Sequence, residues 1–125
     1  DLDGHTLKLA LIKSGESGTY GAASTNYSDI TGNSDEASGT GYSSGGATLG
    51  SVSIALDGTT ATVDFADVSF TNATISAAGA MIYNTSASNR AIAVISFGGT
   101  VASTAGTFTV TMPTADASNA IIRLA

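Results

Sequence analysis

The chain has no cysteine and no tryptophan, a single proline, a single histidine and few charges. Without cysteine there can be no disulfide, no thiolate metal site and no cysteine nucleophile. Such a domain must hold itself by strand pairing, core packing and association. His5 lies in a ragged opening segment beside Asp1 and Asp3. A Ser-His-Asp triad needs its imidazole held rigidly between partners, and a zinc site needs several Cys or His groups. His5 therefore reads as an exposed arm residue. No apolar run approaches the roughly 18 residues that span a bilayer as a helix. Charged residues make up 11% of the chain, against about 25% in an ordinary soluble domain.

The charges present are unbalanced. Net charge is −6, and Lys8, Lys13, Arg90 and Arg123 are the only cations. Four scattered cations are too few to displace counterions from phosphates, which argues against nucleic acid and an anionic membrane surface as partners. So few ionic side chains imply an exterior covered by neighbouring subunits, or a protein that works outside the cytosol. A small Ser/Thr-rich secreted β-domain is the plainer reading. The opening Asp-Leu-Asp, in place of Met, suggests a processed or trimmed product, or a sequence that covers only the ordered part of a longer chain.

What remains is strand material. The stretch from Val63 through Phe65, Val68, Phe70 and Ile75 to Met81-Ile82-Tyr83 is the most apolar and aromatic of the chain, and it predicts the sandwich centre. Leu7, Leu9 and Leu11 share one face of a first strand, with Lys8 and Ala10 on the other. Val52, Ile54 and Leu56 alternate with small polar residues as in a half-buried strand. Asp57-Gly58 and two threonines then lead into Ala61, Val63 and Phe65, a strong hairpin signal. Val68–Phe70 and Ala73–Ser76 predict short strands around a Thr71-Asn72 turn. Ala91–Phe97 is apolar on both faces, which predicts burial on both sides or a subunit contact, and Gly98-Gly99 is expected to end it. Gly106–Met112, stopped by Pro113, and Ala120–Leu124 complete the series. The expectation is an all-β, single-domain, jelly-roll-like β-sandwich of about eight short antiparallel strands. Residues 1–6 form an arm. Residues 14–50, rich in Gly, Ser, Thr and Asn, form a loop-rich insertion broken by short strands or turns and pinned by Tyr20, Tyr27 and Tyr42.

Reaction chemistry is hard to find. Asp64 with Asp67 and Asp35 with Glu36 are the acidic pairs that glycosidase or calcium chemistry would use. Asp64 falls on the polar face of a strand, and Asp67 is placed to bond backbone amides at a turn. Gly39-Thr40-Gly41 and Gly45-Gly46 lack the strand-to-helix context of a phosphate loop. No catalytic residue, metal ligand or cofactor is expected, and the chain reads as a non-enzyme.

Several pieces, in order, resemble a family of small tailed-bacteriophage virion proteins described as capsid decoration (cement) or tail-associated proteins. They are Asp1-Leu2-Asp3 leading into Leu7–Leu11, Ser38-Gly39-Thr40-Gly41-Tyr42 and the residues to Leu49, Asp64–Ile75 with its Asp-Val-Ser-Phe-Thr-Asn-Ala-Thr-Ile, and the ending Ile121-Ile122-Arg123-Leu124. Met81–Asn84 and Gly106–Val110 extend the likeness over nearly the whole chain. The resemblance implies a structural protein on the outer surface of the virion capsid. Its partners would be the major capsid protein and further copies of itself, as a homotrimer at threefold positions. Tyr20, Tyr27 and Tyr42 are the expected contact residues because tyrosine is enriched at interfaces, with Ile92 and Val94 from the two-faced strand. The alternative is a tail- or fibre-associated module that binds a receptor glycan through loop Thr, Ser, Asn and Tyr, although sugar sites favour exposed Trp or Tyr and Trp is absent.

Overall fold

A computed structural model describes residues 4–112 and the backbone of residues 122–124. The fold is all-β, with two antiparallel sheets packed as a sandwich. One sheet has the order β2-β1-β5-β6, built from β1 (Leu7–Ile12), β2 (Ala47–Thr48), β5 (Val68–Asn84) and β6 (Arg90–Val110). The other has the order β3-β4-β7, from β3 (Ser53–Asp57), β4 (Thr60–Asp64) and β7 (Ile122–Leu124). Ala120, Ile121 and Pro113 lie outside the described residues. The only α-helix of the described residues is one turn, α1 (Ser28–Gly32), where a short strand or turn was expected around Ile30.

The strands are fewer and longer than the sequence suggests. The pieces expected at 68–70 and 73–76 and the apolar run Met81-Ile82-Tyr83 are one strand of 17 residues, and those expected at 91–97 and 106–112 are one strand of 21. The breakers act as bulges. Asn72 adopts φ +48, a left-handed conformation that Asn tolerates, and the register against β6 slips between Phe70 and Ala73 while pairing continues. Gly98 and Gly99, at φ +75 and +155, take up extra residues of β6 between the Gly79–Ser96 and Ala77–Val101 pairs. Hydrogen-bonded pairing on both sides of each break outweighs the local turn preference.

The Asp57-Gly58 hairpin forms as expected, with Asp57 opposite Thr60 and Gly58 at φ +63. Its first strand differs from expectation. All of β3 is exposed, including Ile54 at 50% and Leu56 at 75%. The cause is position: β3 is the outer strand of its sheet, and the sandwich core reaches only as far as β4, where Val63 opposite Ile54 is buried.

The larger sheet is covered on both faces. Leu7, Leu9, Leu11, Ile75, Ala80 and Ile82 join Val63 and Phe65 from the opposing hairpin in the main core. Ala10, Ile12, Met81 and Tyr83, from the other face of the same strands, form a second core with Ile30. That second face is roofed by the loop-rich segment between β1 and β2. The loop comes close enough for β2 to pair with β1 because Gly46, at φ +80, crosses over β1 where a Cβ would run into the Leu9 carbonyl.

Leu9→Ala should lower unfolding free energy by about 2–5 kcal/mol, since it removes a fully buried side chain from a packed core. Val101→Ala, at a site 43% exposed, should stay within about 0.5 kcal/mol. Urea unfolding followed by circular dichroism checks both, and equal losses would contradict the assigned core.

Candidate functional site

The chemistry-bearing side chains gather in the roof over the second core. Ile12 and Glu36 form an isolated antiparallel bridge, and Ala37 N–H donates to the Leu11 carbonyl at 2.9 Å. Residues 35–37 therefore run extended beside the end of β1. In extended backbone consecutive side chains point to opposite sides, so Asp35 and Glu36 serve different loops.

Asp35 is fully buried. Its carboxylate accepts from the Ser17 amide at 2.9 Å, the Gly18 amide at 2.8 Å, the Tyr20 hydroxyl at 2.5 Å and the Ser17 hydroxyl at 3.2 Å. Lys13 Nζ lies 3.5 Å away and is itself well hydrated. Burial pushes the Asp35 carboxyl up, but the donated bonds outweigh it and hold the group well below the usual carboxylate range. Glu36 is saturated in a similar way. Oε1 accepts from Tyr27 at 2.6 Å and Ser44 at 3.1 Å, and Oε2 accepts from Tyr42 at 2.6 Å and the Gly45 amide at 2.8 Å.

The tyrosines are the pins expected of them, and their hydroxyls are turned inward. Tyr27 stacks on Tyr83 with ring centroids 4.5 Å apart and planes 8° from parallel. Tyr83 donates to the Gly45 carbonyl at 2.7 Å, and Tyr42 packs on Phe70 at 5.3 Å while accepting from the Leu11 amide. Burial raises the Tyr20, Tyr27 and Tyr42 hydroxyls above the ordinary phenol value, reinforced by Asp35 beside Tyr20 and by Glu36 beside Tyr27 and Tyr42. Tyr83 is pushed up to about 12 by burial and then by Tyr27 and Glu36. These phenols stay protonated and donate within the subunit, to Asp35, Glu36 and the Gly45 carbonyl.

The other sequence candidates lie apart from this cluster. Ile92 and Val94 are half-buried on β6 and line a shallow groove with Gly21, Ala22 and Ser24; Ile92 packs toward the main core and Val94 toward the second. His5 is half-buried and its Nδ1 accepts from Asn84 Nδ2 at 2.8 Å, tying the arm to the end of β5. Asp67 bonds a backbone amide as expected, but that of Met112 across the sheet. Among the described residues, no three His, Cys, Asp or Glu side chains converge as a metal site. The organising role of Asp35 and Glu36 was missed in the sequence; the available signal was an adjacent acidic pair in an otherwise polar loop dotted with tyrosines.

Two pH limits follow from these shifts. Asp35 is held low in the folded state, so its stabilisation is complete above its unfolded value of ~3.9 and is lost as pH falls below that. The tyrosines are held high, so theirs is complete below about 10 and is lost as pH rises beyond it. The urea midpoint should therefore fall on both limbs. Asp35→Asn should lower the midpoint at neutral pH and flatten the acid limb, and Tyr42→Phe should flatten the alkaline one; parallel curves for wild type and variants would contradict the network. No protein-family model, curated protein or solved structure matches the chain.

Proposed function

We propose that this chain is a structural virion protein of a tailed bacteriophage, binding the outer capsid surface as a decoration or cement protein. The observation that carries the reading is the uncharged exterior of β6 after Arg90 together with the exposed apolar side chains of β3. No charged residue lies between Arg90 and Asp116, a span that contains nearly all of the outer strand β6, and β3 presents Ile54 and Leu56 to solvent. Surfaces this short of ions and this rich in exposed strand backbone are suited to being covered. The family resemblance supports the same reading.

The mechanism is mechanical. A subunit that binds the assembled shell and not its free components stabilises the shell by mass action. The bonding inside the roof favours this, because loops already fixed by Asp35 and Glu36 lose little further entropy on docking. The partners are the major capsid protein and other copies of this chain. Ile92 and Val94, beside a groove, suit contact; Tyr20, Tyr27 and Tyr42 contribute through ring edges, since their hydroxyls are bonded within the subunit. The same inward commitment leaves few rings free for a sugar to stack on, which weighs against a glycan-binding module.

Phage shells lacking the protein should release their genome at a lower temperature than complete shells, and adding purified protein back should restore the difference. Heating both kinds of particle with a DNA-binding dye reads the release point. Identical release points, or no binding of the protein to stripped shells, would overturn the proposal.

A further inference from the structure

The strand β3 has the sequence of a half-buried strand and the exposure of a bare one. Ile54 and Leu56 share a face and are 50% and 75% exposed, while their neighbours on β4, Val63 and Ala61, are covered to greater extents. The backbone adds a second demand. A two-residue hairpin loop closes on a pair that exchanges both N–H···O bonds, here Asp57 with Thr60. Alternation then turns the backbone groups of Ser53, Ala55 and Asp57 toward β4 and those of Ile54 and Leu56 outward. Among the described residues, no strand pairs with that outer edge.

We propose that a second copy of this chain occupies it, by antiparallel pairing of β3 with β3 about a twofold axis at Ala55. In this register Ile54 of each copy stands opposite Leu56 of the other, so the outward N–H and C=O groups of both residues are paired. The four apolar side chains then lie together on one face and cover one another. Charge fits as well. Asp57, the only charged residue of β3, comes opposite Ser53 and not opposite another acid, so two copies of net charge −6 meet without an acid-acid pair at the contact. The two three-stranded sheets become one continuous sheet of order β7-β4-β3-β3-β4-β7. The longer edge of β6 is less suited to this: Thr25 and Asn26 already occupy its start, and positive φ at Gly98, Gly99 and Ala105 breaks its line. An isologous contact of this kind closes as a pair, which is not the threefold arrangement expected from the family resemblance. The proposal does not rest on the virion reading, and either one stands if the other fails.

The absence of cysteine provides a clean test. Across the axis Ala55 faces its own equivalent in a non-hydrogen-bonded pair, with Cα atoms about 4.5 Å apart, inside the ~4.4–6.8 Å range of a disulfide. Under mild oxidation the full-length Ala55→Cys protein should form a disulfide-linked dimer at least about tenfold faster than Ala102→Cys, which reports the exposed edge of β6. In sedimentation equilibrium the wild type should show reversible dimerisation. The Ile54→Lys/Leu56→Lys variant, checked for folding by circular dichroism, should dimerise at least about tenfold more weakly, the effect of losing a buried apolar contact. Faster linkage at Ala102→Cys, equal rates at the two positions, or a wild-type mass of one 12.2 kDa chain at every concentration would overturn the proposal.

Discussion

The structure depends on burying both faces of β5. From Ala77 to Asn84 nearly every residue of that strand is buried, alternately toward the main core and toward the second core. One side is covered in the usual manner by an opposing sheet. The other is covered by a segment composed mostly of Gly, Ser, Thr and Asn, which has little apolar surface to offer. Such a cover is stable over an apolar sheet only if its own polar groups find partners. Among the described residues, no buried side-chain nitrogen or oxygen lacks one. Asp35 and Glu36 make that possible: ionised carboxylates accept several bonds each, and they collect the amides and hydroxyls of loops with no ladder of their own.

The resulting division of labour is unusual for acidic residues in a chain of net charge −6. Two of the ten are used as bonding centres, Asp35 fully buried and Glu36 half-buried. Tyr20, Tyr27 and Tyr42 do the complementary work, each placing a ring against the sheet and a hydroxyl against a carboxylate. A buried network of this kind is sensitive to the loss of any member, because the remaining groups are left unpaired in a low-dielectric setting. The roof is therefore expected to behave as a single cooperative unit.

How much of this the sequence revealed differs from element to element. The hairpin at Asp57-Gly58, the alternation of Leu7, Leu9 and Leu11, and the apolar run at Met81–Tyr83 rest on local periodicity, and each appears as strand in the structure. The long strands were not legible, because Asn72 and Gly98-Gly99 carry the composition of a turn and only long-range pairing makes them bulges. The exposure of Ile54 and Leu56 was not legible either, since period-2 alternation tells which residues share a face and not whether anything lies over it. Asp35 and Glu36 were visible as an acidic pair, but their partners at Ser17, Tyr20, Tyr27, Tyr42 and Gly45 are brought together by tertiary structure that no spacing rule encodes.

The bulges of β6 have a consequence for how this weakly charged rim would meet other copies of the chain. A straight rim of this length, uncharged after Arg90, would template the stacking of copy upon copy into a fibre. With left-handed kinks at Gly98-Gly99 and Ala105 the rim changes direction twice, so an incoming straight strand can follow it for only a few residues. The same irregularities that hide the strand from a reader of its sequence make it a poor seed, and growth along that side of the molecule stalls before it can propagate.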